Sequence, residues 1–193
     1  MTFFDEGKTI PPAELLAHKR LTLPIGSDLR VAIHEASHGV ALHEFCGLTP
    51  ELLTIKPTKN RPGAMRPKPP WDHLPKVAVS EHEIDGFIKC IAVYYAGAVA
   101  VSLFADTHYE NDEDEPGLDA GFQRDEQTIN ELSWRAAGGD NGAVDPNSIR
   151  DISCALTREL LKNRKETIWK IAHCLQQCRT LTAIDLTDVF KAQ

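Results

Sequence analysis

The sequence feature that most constrains the fold is an uncharged, apolar run from Cys90 to Ala105, CIAVYYAGAVAVSLFA. Lys89 and Asp106 close this run at its two ends. A helix that spans a bilayer needs about 18 or more apolar residues, and this run is shorter than that and rich in Ala and Gly. We therefore predict a buried core helix, and not a membrane span, around which the other elements pack.

The overall composition is that of one globular domain covering residues 1–193. Hydrophobic residues make up 42% of the chain and charged residues 25%, which is far from the composition of disordered or collagen-like proteins. The net charge of −7 argues against nucleic acid as a partner, because phosphate binding needs clustered Lys and Arg. The five cysteines form no CxxC pair and follow no secretory signal. We therefore expect reduced thiols in a cytoplasmic protein.

Proline, glycine and capping residues divide the chain into elements of a mainly α-helical domain with a small β-sheet. Ser27 or Asp28 can cap a helix that ends near Cys46, where Gly47 supplies a left-handed stop. The segment ELLTIKP, residues 51–57, is typical of a strand, which we expect at a sheet edge. The later predicted elements are a proline-rich loop over 57–75, a helix capped by Ser80 and Glu83, an acidic loop over 106–117, a helix over 124–137, one bent or two separate helices over 149–181, and a short final helix over 182–192.

The pattern HEASH, residues 34–38, lies in the first long helix. His34 and His38 are four residues apart, so both imidazoles point the same way and can bind one metal ion. A catalytic zinc site keeps three protein ligands and one position for water. Glu35 is turned by about 100° from His34 around the helix axis, beside that open position, which suits a general base. The alternative is a core helix whose histidines are four residues apart by chance.

The residues alone leave the third ligand open. His73 in the proline-rich loop and His108 in the acidic loop are geometrically free to serve, and no spacing favours either of them. His43 lies five residues after His38, on a different side of the helix. We therefore expect His43 to be a partly exposed polar residue and not a ligand.

Over nearly its whole length, the chain resembles the zinc peptidase domain of the FtsH family of AAA proteases. VAIHEASHGVAL is similar to the ligand helix of that family, LLTIKPTKNRPGAM to the strand and loop after it, and EIDGFIKCIAVYYAGAVAVSLFA to its central helix. ALTRELLKNRKETIWKIAHCLQQCRTLTAIDLTDVF resembles the family's C-terminal helices. The resemblance implies a third zinc ligand from an aspartate four residues after a glycine on a later helix. Asp125, after Gly121, fits this description; Asp119 is the second choice, ahead of the acidic residues before it.

The sequence also departs from that family. Family members carry an ATPase module and membrane anchors ahead of the peptidase, whereas no GxxxxGK[ST] phosphate loop occurs here. We therefore expect a free-standing, ATP-independent domain. Ser37 stands where the family usually has a glycine, and its hydroxyl can crowd a close helix contact. The loop over 57–75 is unusually rich in proline, so substrate access can differ.

The residues and the resemblance together predict a zinc-dependent endopeptidase. His34, His38 and Asp125 are expected to bind Zn²⁺, with Glu35 as the acid and base. The expected substrates are unfolded or flexible polypeptides, which a separate ATPase or adaptor can deliver; self-association is left open. The alternatives are a non-catalytic module of the same fold that binds or regulates a protease, and a phage- or stress-linked metallopeptidase that cuts one specific repressor.

Overall fold

The computed structural model describes residues 21–22, 28–57, 63–66, 73–106, 117–139, 142 and 144–191. Within them the chain is mainly helical with a small antiparallel sheet, as predicted. In chain order the elements are β1 (Leu21–Thr22), α1 (Asp28–Cys46), β2 (Leu52–Thr54), β3 (Ala64–Arg66), α2 (Glu81–Phe104), β4 (Ala105–Asp106), α3 (Gly117–Ala136), α4 (Pro146–Asn163), α5 (Lys165–Cys178), β5 (Thr180–Thr182) and α6 (Ala183–Lys191).

The antiparallel sheet has the strand order β3, β2, β5. Leu53 of β2 pairs with Met65 on one side and with Leu181 on the other. The prediction that residues 51–57 form an edge strand is therefore wrong, because β5 returns from the far end of the chain to cover the second edge of β2. In the described part of the chain, β3 pairs with β2 alone. A separate parallel pair joins β1 to β4.

Two further boundaries differ from the predictions. The proline-rich segment 57–75 contains β3, which is compatible with proline because β3 is an edge strand whose flanking residues need not donate to a ladder. The helix predicted over 124–137 begins at Gly117. The segment PAELLAHKR, residues 12–20, also predicts a short helix. These residues and residues 107–116 of the acidic loop lie outside the described residues.

Two helix ends show the capping chemistry that the sequence predicts, whereas Ser27, one of the two predicted caps of α1, lies outside the described residues. The backbone amides of Val79 and Ser80 donate to Glu83 Oε2 at 2.7 and 3.0 Å, and the Glu83 amide donates to Ser80 Oγ at 3.3 Å. This is the reciprocal capping box at the start of α2. At the end of α1, Gly47 adopts φ +66° and its amide donates to the His43 carbonyl at 2.9 Å.

The C-terminal region forms two separate helices followed by a strand. Arg179 ends α5 in the left-handed conformation, with φ 61°. The predicted helical range over 149–181 therefore ends at Cys178, and residues 180–182 form β5 instead. Cys174 and Cys178 are four residues apart, which predicts one shared buried helix face. This prediction is wrong, because Cys174 is half-buried and Cys178 is exposed.

Helix α2 is the centre of the core. By length and composition it could cross a membrane, but 67% of its most apolar window is buried inside the molecule, consistent with the predicted core helix. One hydrophobic cluster joins α2 to α1, α5, α6 and the antiparallel sheet, and a second joins it to α3 and α4. Because α2 packs against both α1 and α3, it holds these two helices on either side of the candidate site.

Candidate functional site

Helix α1 carries the HEASH residues in its buried middle section. It packs against α2, α5 and the antiparallel sheet, so that every residue from Arg30 to Leu42 is buried. His34, Glu35 and His38 are exposed by only 9%, 6% and 6%. Three titratable side chains in an apolar helix need specific partners, because burying an unpaired polar or charged group is costly.

The structure brings His34, His38 and Asp125 together. The two Nε2 atoms are 2.9 Å apart, and Asp125 Oδ2 lies 3.6 Å from Nε2 of His34 and 3.3 Å from Nε2 of His38. Asp125 reaches this position because α3 packs against α2 through Ile129 and Leu132. Two residues of one helix and a third from a helix about 90 residues later thus converge on one point.

This donor set fits a divalent metal ion. Two imidazole nitrogens and a carboxylate oxygen are the kinds of ligand that zinc accepts, at about 2.0 to 2.2 Å from the metal. Ligand atoms of a tetrahedral site at those distances are separated by roughly 3.3 to 3.6 Å. The two separations to Asp125, 3.3 and 3.6 Å, match this range, and the two Nε2 atoms are closer, at 2.9 Å. The same donors also suit other divalent ions, and nothing in the geometry identifies zinc.

The His38 ring is fixed in the orientation that a metal ligand requires. Its Nδ1 lies 2.7 Å from the backbone carbonyl of Val93 on α2. A carbonyl can only accept a hydrogen bond, so Nδ1 is the protonated nitrogen and the lone pair of the neutral ring is on Nε2. A backbone partner of this kind orients a metal-binding histidine and holds it in one tautomer.

Without a metal, the cluster is stabilised by a histidine–carboxylate pair. Burial by itself would lower the pKa of His38, but the hydrogen bond to Asp125, the charges of Asp125 and Glu35, and the Val93 carbonyl together raise it to about 9. Burial would likewise raise the pKa of Asp125, but its hydrogen bonds to His34 and His38 outweigh this effect and hold the pKa well below its ordinary value. The carboxylate is therefore ionised at neutral pH and available as a ligand.

Gly97 of α2 makes room for the His34 ring. A Cβ atom at this position would be 2.5 Å from Nδ1 of His34 and 2.6 Å from its Nε2, which is closer than real Cβ contacts come. Only glycine lets α1 and α2 approach closely enough for the ring to lie in its present position. Sequence reasoning missed Gly97; the available signal was a glycine within the run YYAGAVA of the core helix.

Gly63 makes room for the Glu35 side chain, as Gly97 does for the His34 ring. A Cβ atom on Gly63 would be 2.7 Å from Oε1 of Glu35 and 2.9 Å from the carbonyl oxygen of Thr54. The Glu35 carboxylate therefore packs against the backbone immediately before β3. Glu35 therefore lies against the start of the edge strand, and its charge also acts on His38.

The other residues that the sequence singled out for this site do not join the cluster or lie outside the described residues. His73 is exposed and does not join the group. The His43 ring is partly exposed, as expected, and stacks on Phe190 at 4.1 Å between centroids. His108 and the side chain of Asp119 lie outside the described residues. The Ser37 hydroxyl turns back onto the Ile33 carbonyl at 2.7 Å, so it stays within its own helix.

Comparison of the chain with known proteins adds no family assignment. No protein-family model matches the sequence, and a search of curated proteins gives no significant match. Any functional assignment therefore depends on the chemistry of the site itself.

Proposed function

We propose that this protein is a metal-dependent endopeptidase, with zinc as the metal, and that it belongs with the FtsH-type peptidase domains that its sequence resembles. The observation that carries the proposal is the convergence of His34, His38 and Asp125 on one point beside the buried Glu35.

Each residue has a defined role in this proposal. His34 and His38 supply Nε2 donors, and Asp125 supplies a carboxylate oxygen. When bound, the metal ion would polarise the substrate carbonyl and lower the pKa of the attacking water. Glu35 would accept the proton of that water on a carboxylate oxygen and transfer it to the nitrogen of the departing amine. Gly97 and the Val93 carbonyl would hold the histidines in position.

The edge strand β3 suggests how a polypeptide would bind. Its outer edge has no strand partner within the described residues, and Gly63 at its start contacts Glu35. An extended peptide that pairs with β3 would therefore run past the proposed base. Pro62 and Pro67 enclose β3 in the sequence, which limits the pairing to a short segment. This mode requires an unfolded or flexible substrate.

Metal analysis combined with a hydrolysis assay tests the proposal. Purified wild-type protein should contain about one zinc per chain by elemental analysis, and should cleave an unfolded substrate such as casein. Glu35→Gln should keep the metal and lose hydrolysis, whereas His38→Ala should lose both. Glu159→Gln, an exposed change of the same kind on α4, should alter neither.

The same experiment separates the enzyme from a binding module. A module that keeps the fold without catalysis would bind metal and show no hydrolysis in wild type or Glu159→Gln. A protein that binds no metal, and takes none up when zinc is added, would contradict the proposal as a whole.

A further inference from the structure

The surface beside the edge strand β3 carries positive charge in an otherwise acidic protein. Lys56 follows β2 and Arg66 ends β3, and both are exposed. The sequence from 56 to 68 contains no Asp or Glu, and its basic residues are Lys56, Lys59, Arg61, Arg66 and Lys68. This concentration stands out in a chain whose net charge is −7.

No carboxylate of the described residues neutralises the charges of Lys56 and Arg66. Neither side chain forms an ion pair with any described residue. Arg179 provides a contrast, because its guanidinium pairs with Asp28 while donating to the Ile55 carbonyl at 3.3 Å. Lys56 and Arg66 therefore place two cations on the β2–β3 hairpin that have no ion-pair partner in the described part of the chain.

Both cations are in a position to contact a peptide that binds along β3. Arg66 lies three residues after Gly63, which corresponds to about 10 Å along an extended strand. Lys56 projects from a fixed backbone, because its amide donates to Thr54 Oγ1 at 3.1 Å and that hydroxyl also donates to the Arg179 carbonyl at 3.0 Å. A substrate side chain two or three residues from the bond near Glu35 would come within reach of them.

We propose that the protein selects polypeptide segments with Asp or Glu side chains close to the scissile bond, and that Lys56 and Arg66 determine this preference. The inference rests on the proposed peptidase function and on binding along β3. Exposed ion pairs are individually weak and are screened by salt. The selectivity should therefore be moderate, dependent on ionic strength, and greatest when both cations are present.

The test uses three matched fluorogenic peptides. They differ only in carrying Glu, Gln or Lys at the same positions flanking the scissile bond. Wild-type kcat/KM should be about fivefold or more higher for the Glu peptide than for the Lys peptide at low salt, and the difference should shrink in 0.5 M NaCl. The double variant Lys56→Glu/Arg66→Glu should reverse the order. Lys170→Glu, an exposed change on α5, should keep the wild-type order.

Equal kcat/KM values for the three peptides in wild type, or an unchanged order in the double variant, would overturn the preference. If no peptide is hydrolysed at all, the peptidase proposal fails. Fluorescence anisotropy then measures the binding of the same peptides and tests the charge preference independently of hydrolysis. In that measurement, wild type should bind the Glu peptide most tightly. An oligonucleotide of similar charge that competes equally well would overturn the assignment to a peptide.

Discussion

The His34 imidazole lies against the backbone of Gly97, so close that a methyl group on Gly97 would be 2.5 Å from Nδ1 of the ring. This contact joins α1 to the core helix α2 at the proposed metal site. His38, one turn further along α1, bonds to the Val93 carbonyl one turn earlier on α2. The two histidines are thus positioned by one helix that contributes no residue of its own to the His34, His38 and Asp125 group.

The first prediction follows from this contact. Gly97→Ala should displace the His34 ring and weaken metal binding by about tenfold or more, as other changes to the surroundings of metal ligands do. Gly86→Ala is the matched control on the same helix, because its added Cβ would meet only the flexible end of Leu74 at 3.2 Å. Competition with a chelator of known affinity measures both variants. Equal affinities would show that the contact does not position His34.

The second prediction separates Glu35 from the metal ligands. Gly63→Ala should push the Glu35 carboxylate away, since the added Cβ would be 2.7 Å from Oε1. Because a displaced catalytic group reduces the rate steeply, we expect kcat to fall by about tenfold or more while the metal content stays near one per chain. Loss of metal in this variant would instead mean that Gly63 supports the whole site.

The third prediction concerns Asp125 and stability. A ligand that binds only the folded state at about 100 times its Kd stabilises that state by about 2.7 kcal/mol. If Asp125→Asn weakens zinc binding by about 100-fold, the same zinc concentration would add only about 0.4 kcal/mol. Thermal unfolding with zinc and with chelator measures the difference, and Asp188→Asn, an exposed change on α6, should behave like wild type. A zinc-induced rise in Tm that is as large in Asp125→Asn as in wild type would exclude Asp125 as a ligand.

Local sequence signals were sufficient to predict those features of the structure that depend on residues close together in the sequence. The capping box of Ser80 and Glu83, the stop at Gly47 and the core position of α2 all follow from short-range chemistry. The spacing of His34 and His38 likewise predicts that their rings share one face, because a helix fixes that geometry.

Long-range packing decided the features that the sequence did not predict. Strand β2 is central only because β5, about 125 residues later, pairs with its second edge. The turn into β5 uses Arg179 with φ 61°, a conformation that is rarely expected of a residue other than glycine, asparagine or aspartate. Asp125 could not be chosen by spacing, because its position depends on how α3 packs against α2; the family resemblance supplied it.

The fourth prediction concerns pH and the start of α6. Thr182 donates to Asp185 Oδ2 through its amide and its hydroxyl, both at 2.8 Å. The amide hydrogen bond and then that from the hydroxyl lower the pKa of Asp185 below its ordinary value of 3.8. The ionised Asp185 therefore stabilises the folded state fully above pH 3.8. This contribution is lost as the pH falls through the lower folded-state pKa of Asp185. We expect the urea midpoint of Asp185→Asn to fall less between about pH 4 and pH 2 than that of wild type. Asp188→Asn is the control; an identical acid dependence in wild type and Asp185→Asn would contradict the prediction.

The fifth prediction tests peptide binding along β3. The pattern of hydrogen bonds along a strand alternates, so successive backbone amides of a paired peptide point towards the neighbouring strand and away from it. In a peptide that is cleaved at one bond, N-methylation at single positions should therefore reduce kcat/KM strongly at every second residue and weakly between them. Steady-state kinetics on such a series measures this pattern. A uniform effect at all positions would mean that the substrate binds without adding a strand to β3.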